Sequence, residues 1–178
     1  MHFTIPSRDF ALRRVLGAAS VAALVLAALI GFATPGSAAP GDTTTVCVST
    51  SNPQGWATVN YTYRTGCGTY SGPNAKIIKQ LTGLPAGSTE AVCIGSGVTT
   101  GWAITGYTYS GSCSGNGYPS YNTYYLTHLD GLPIGSQVTV CFGSPYPSGW
   151  VSTGSTYRGA CNGNGYPGNN ARYLTRNS

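Results

Sequence analysis

The spacing of six cysteines constrains this chain more than any other feature. They stand at positions 47, 67, 93, 113, 141 and 161, so each successive pair is separated by 20 positions. Other residues keep the same phase. A Gly-Trp pair places Trp56, Trp102 and Trp150 nine positions after the first cysteine of each pair, and Tyr63, Tyr109 and Tyr157 follow seven positions later. Gly-Asn-Gly-Tyr-Pro occurs at 115–119 and 163–167 and is shortened to Gly-Thr-Tyr-Ser-Gly-Pro at 68–73. An Asn-led apolar run comes next, at 74–81, 122–129 and 170–176, and Gly-Leu-Pro-x-Gly-Ser links the copies at 83–88 and 131–136. Such matches in fixed order are the mark of an internal repeat. The copies are 39–86, 87–134 and 135–178.

Every segment of the repeat reads as β. Thr44–Val48, Trp56–Tyr63 and Lys76–Leu81, with their equivalents, are short apolar or alternating runs separated by Gly, Pro, Asn and Ser. No stretch sustains a period of 3.6, so essentially no helix is expected after residue 38. The mature chain begins on the strand before the first cysteine and stops on the strand before a missing Gly-Leu-Pro link. If that link is a hairpin inside the chain, the two chain ends are halves of one more hairpin. Pairing them would close three copies into a ring without exposed edges. The expected fold class is therefore all-β, a disulfide-stabilised compact threefold repeat, trefoil- or prism-like. Three tandem mini β-sandwiches are the alternative.

Residues 1–38 have the composition of a signal peptide: Arg8, Arg13 and Arg14, then an apolar run from Val15 to Ala33, then the small residues Gly36-Ser37-Ala38. Cleavage after Ala38 avoids Pro40 as first mature residue; an uncleaved anchor is the alternative, since such a run just spans a bilayer. Arg13-Arg14 hints at twin-arginine export, but six cysteines favour the general secretory route. No membrane attachment is expected after cleavage, so the product should be secreted, extracellular or cell-wall associated.

An exported chain with six cysteines implies three disulfides. Repetition favours Cys47–Cys67, Cys93–Cys113 and Cys141–Cys161; the rival symmetric scheme is Cys67–Cys93, Cys113–Cys141 and Cys47–Cys161. A zinc site is a poor reading, because CxxC spacing is absent and His128 is the single histidine after residue 38. No metal or cofactor is expected.

Charge narrows the function classes. Only 7% of the chain is charged, and after residue 38 six basic residues face three acids, Asp42, Glu90 and Asp130. A nucleic-acid binder needs clustered Lys and Arg, which this chain lacks. Glycoside hydrolysis needs two carboxylates flanking the scissile bond, and Glu90 with Asp130 is the one plausible pair; neither recurs in the repeat, so both read as solvated turns. His128 is the sole base for a serine nucleophile. The other copies place Gln80 and Arg176 there, the pattern of an outward-facing strand position. Gly-Asn-Gly lacks the strand–loop–helix setting of a phosphate loop and reads as a tight turn. No catalytic residue is assigned, and no enzyme is expected.

The aromatics are the better lead. On a regular strand Trp56 shares a face with Thr58, Asn60 and Thr62, and Trp150 with Ser152, Gly154 and Thr156. A flat ring among small polar neighbours suits a sugar, which offers apolar area and hydrogen-bonding groups together. Trp56, Trp102 and Trp150 are thus candidate anchors, with Tyr70, Tyr118 and Tyr166 on adjacent loops as helpers. The competing reading places one Trp per copy in the core, and a bulge at the glycine would reverse its face.

These motifs resemble a family of exported bacterial repeat proteins with paired cysteines, Gly-Trp and Gly-x-Pro-x-Gly links; the likeness implies architecture and secretion, not an activity. The Ala-rich leader is similar to those of actinobacteria. A fainter likeness, in Cys93–Cys113 with the strands after it and in Ala171-Arg172-Tyr173-Leu174, is to tendamistat-type α-amylase inhibitors, which are small disulfide-linked β-sandwiches. Their Trp-Arg-Tyr triplet is absent: Tyr63-Arg64 and Tyr157-Arg158 approach it, while the middle copy has Tyr109-Ser110. Three functions follow as expectations. They are a module binding polysaccharide or cell-envelope material, a secreted hydrolase inhibitor or adaptor for an extracellular protein, and a structural surface protein.

Overall fold

Each repeat folds into its own three-stranded antiparallel sheet. The computed structural model describes residues 38–68 and 72–178, so the leader up to residue 37 and Tyr70 lie outside the described residues. The strands are β1 (Thr43–Cys47), β2 (Trp56–Thr62) and β3 (Ala75–Gln80), then β4 (Thr89–Cys93), β5 (Trp102–Thr108) and β6 (Thr123–His128), then β7 (Gln137–Cys141), β8 (Trp150–Thr156) and β9 (Ala171–Arg176). Spatial order is β1-β3-β2, β4-β6-β5 and β7-β9-β8. The Asn-led run therefore supplies the central strand of every sheet, and its Ile78, Leu126 and Leu174 are fully buried. The fold is all-β, threefold repeated and disulfide-stabilised, as the sequence implies.

Two details differ from expectation. The loops at Gly111–Asn116 and Gly159–Asn164 wind into short 3-10 helices, each holding one buried cysteine and ending on a left-handed glycine, Gly117 or Gly165. Runs this short leave no 3.6 period to read. The Gly-Leu-Pro link is not a hairpin either. Strands β3 and β4, which it joins, pair with partners inside their own repeats, and β9 is already flanked by β7 and β8. The hairpin that would join the chain ends does not form, because the strand meant for it is a sheet centre.

Side chains rather than sheet hydrogen bonds hold successive repeats together. Strand β2 packs against β4 and the first 3-10 helix, and β5 against β7 and the second. At the first junction Ala57 and Leu81 of repeat 1 meet Val92 and Trp102 of repeat 2; at the second, Ala103 and Leu129 meet Val140 and Trp150. The free edges of β2 and β5 are covered as well: Thr58 N donates to Ser96 Oγ at 3.0 Å, and Ile104 N donates to Ser144 Oγ at 2.7 Å. The Gly-Asn-Gly turns fit the same seam. A Cβ at Gly115 would lie 2.7 Å from Tyr61, and one at Gly163 2.6 Å from Tyr107. Burial here pushes the Tyr107 hydroxyl up to about 12, with Tyr124 and Tyr166 adding to it.

The outer face of the last repeat is polar. Where repeats 1 and 2 place Ala57 and Ala103, Thr58 and Ile104, Tyr61 and Tyr107, and Leu81 and Leu129, repeat 3 has Val151, Ser152, Ser155 and Asn177. All four are exposed, as the outer face of a terminal repeat should be.

The disulfides are Cys47–Cys67, Cys93–Cys113 and Cys141–Cys161, and among the described residues no cysteine is free. Three disulfides in a domain of this size are typical of extracellular proteins. Their burial is unequal, because a preceding repeat covers the second and third but not the first. Under mild reductant with rapid alkylation, Cys47 and Cys67 should be labelled well before Cys93, Cys113, Cys141 and Cys161. Simultaneous labelling of all six would contradict the packing described here.

Candidate functional site

The three tryptophans are not equivalent. Trp102 and Trp150 are 2% and 5% exposed, each plugging the repeat before it, whereas Trp56, in the first repeat, is only half-buried. Trp102 and Trp150 therefore belong to the core and are corrected as ligand anchors. The alternation reading failed for a local reason: register shifts by one between Thr58 and Asn60, Ile104 and Gly106, and Ser152 and Gly154. A bulge there sends the second half of each strand to the opposite face from the one a regular pleat predicts.

Trp56 lies at the rim of a cleft of about 500 Å³ where repeats 1 and 2 meet. Repeat 1 supplies Asn52, Gln54, Trp56 and Thr82, and repeat 2 supplies Ser96, Thr99, Thr100, His128 and Asp130, with an edge of Trp102. The second junction carries different residues. Ser96-Gly97-Val98-Thr99 is replaced by Ser144-Pro145-Tyr146-Pro147, and Tyr146 packs on the core there beneath Arg172, whose guanidinium lies 5.7 Å from the ring centre.

His128 is fixed by this junction. The His128 ring stacks on Trp102, with centroids 4.9 Å apart and planes 13° from parallel. Its Nδ1 lies 3.2 Å from the Pro85 carbonyl oxygen. A carbonyl only accepts, so Nδ1 is the donor in this contact, and in that tautomer Nε2 is the ring's acceptor. Both Nε2 and the Asp130 carboxylate approach Gly101, where an added Cβ would lie 3.3 Å from the nitrogen and 2.5 Å from Asp130 Oδ2. With φ at +85°, that position favours glycine in any case.

Deeper in the same wall, Asn52 Nδ2 donates to Thr58 Oγ1 at 3.2 Å, while Asn52 Oδ1 and Gln80 Oε1 are buried without a partner. Glu90, the other carboxylate of the candidate pair, is held elsewhere. It forms an ion pair with Lys79 at 2.6 Å, tying β4 of repeat 2 to β3 of repeat 1. Glu90 is thus held in an ion pair and, among the described residues, Asp130 is not. Among the described residues no cluster of three His, Cys, Asp or Glu forms.

The loop tyrosines Tyr118 and Tyr166 are exposed. Three others are more exposed still: Tyr63, Tyr109 and Tyr157, at 64%, 57% and 60%, each just past the second strand of its repeat. Sequence reasoning noted their recurrence without assigning them to a surface. It missed the cleft for a different reason, since His128, Asp130, Gly97 and Val98 are the positions where the copies disagree. Departure from the repeat was the available signal. Compared with known protein families, curated proteins and solved structures, the chain matches none.

Proposed function

We propose that the chain is exported, cleaved after Ala38, and acts outside the membrane as a non-enzymatic module binding polysaccharide or cell-envelope material. One observation carries this reading. The half-buried Trp56 shares a cleft with the hydroxyls of Thr82, Ser96, Thr99 and Thr100 and the amides of Asn52 and Gln54. A sugar ring has one apolar face and a rim of hydroxyls, and a concave site with one aromatic wall and several polar groups complements both. Exposed Tyr63, Tyr109 and Tyr157, one in each repeat, give a long glycan further weak contacts, and linked weak contacts multiply when geometry lets them act together.

The test is a glycan array read at high salt, followed by calorimetry on the oligosaccharides retained. Trp56→Ala should weaken binding by about tenfold or more, equivalent to about 1.4 kcal/mol, while destabilising the fold far less than Trp102→Ala does. Absence of glycan binding in the parent, or a Trp56→Ala variant that binds as tightly, would sink the proposal.

A further inference from the structure

We infer that the cleft takes an amine-bearing sugar unit, a hexosamine with a free amino group, whose ammonium sits between Asp130 and His128. The inference rests on the cleft being a saccharide site and adds the chemical class of its occupant. It follows from which hydrogen-bonding roles the cleft leaves open. The Asp130 carboxylate accepts only, and among the described residues it has no ion-pair partner. His128 spends its Nδ1 hydrogen on Pro85 and presents Nε2 as an acceptor on the same side of Gly101. No Lys or Arg lines the cleft, although the chain as a whole is basic.

An ammonium answers this arrangement better than the alternatives. It has three hydrogens to give and none to accept, and its charge complements Asp130. A hydroxyl in its place brings one hydrogen and no charge. An N-acetyl group brings a single N–H together with a carbonyl that would face acceptors. A uronate or phosphate would set like charge against Asp130, with no cation in the cleft to offset it. Protein-wide positive charge attracts anionic glycans at long range, but the local acceptors decide which unit enters.

The experiment compares four tetrasaccharides by calorimetry on the exported protein: glucosamine, N-acetylglucosamine, glucose and galacturonate oligomers. The glucosamine oligomer should bind at least about tenfold more tightly than the glucose and N-acetyl oligomers, and the galacturonate oligomer most weakly. Added salt should narrow that preference, since exposed charge contacts are screened. Asp130→Asn should abolish the preference for the glucosamine oligomer over the glucose oligomer.

Equal affinity for the amine and neutral oligomers, or tightest binding of galacturonate, would overturn the inference while the saccharide reading stands. If the parent binds none of the four, or if Trp56→Ala leaves all affinities unchanged, the saccharide reading fails with it. The comparison among ligands uses only the parent protein, so it decides the matter even where the Asp130 variant does not fold.

Discussion

Replacing Trp102 with alanine is expected to cost about 3–5 kcal/mol, the range for emptying a large aromatic site in a packed core. Its indole is buried among Ala57, Leu81, Val92 and Leu126, so truncation opens a void shared by two repeats, and it also removes the surface on which His128 stacks. The void cannot close easily, because the Cys93–Cys113 disulfide and the Ser96 bond to Thr58 hold the opposing walls. Trp56→Ala removes the same side chain where no preceding repeat covers it and should cost well under half as much. Denaturant unfolding of the two variants side by side is the measurement. Equal destabilisation would mean that Trp102 does not seal a junction.

The second large effect is expected at a residue whose importance lies in its amide. Asn122 is fully buried, and its side chain completes the backbone after β5: Oδ1 accepts from Ser110 N at 2.7 Å and Nδ2 donates to the Ser110 carbonyl at 2.8 Å. Asn170 does the same for Arg158, and Asn74 for Arg64. Asn122→Ala leaves the part-buried Ser110 N–H without its acceptor, at a cost of about 1–3 kcal/mol, while the Ser110 carbonyl keeps its bond from Cys113 N. Asn122→Asp keeps the acceptor, loses the donor and buries a charge, so it should not rescue. Asn74 is less completely enclosed, and its alanine variant should lose less stability. Thermal unfolding of Asn122→Ala and Asn74→Ala gives the comparison. Identical midpoints would show that water substitutes for the amide in both.

What the sequence reveals about this fold follows from what repetition can encode. Disulfide partners and strand positions recur at fixed spacing, so Cys93–Cys113 and the strands at Trp56, Trp102 and Trp150 are legible without coordinates. Strand partners are not, since the Gly-Leu-Pro link has turn chemistry whether it closes a hairpin or carries the chain to the next sheet. Burial of Trp102 was hidden as well. The bulge turns away Gly106 and Thr108, which a regular pleat would put on its face, and its packing partners Ala57 and Leu81 lie in the previous copy. The candidate cleft was illegible to a search for recurring residues. Asp130 stands where the other copies have Thr82 and Ser178, and His128 where they have Gln80 and Arg176.

The polar face of the third repeat gives the array a direction and a stop. A unit can be followed by another only if it offers a small residue, a leucine and a tyrosine to the incoming Trp and Gly-Asn-Gly turn, and residues 135–178 offer Val151, Asn177 and Ser155 instead. Residues 87–134 alone carry both an apolar entry side and an apolar exit side around a full-length turn. Lengthening of this protein by gene duplication is therefore confined to its middle. Each extra copy would add one more junction of the same kind, with stability growing by nearest-neighbour steps, while both termini kept the surfaces they have now.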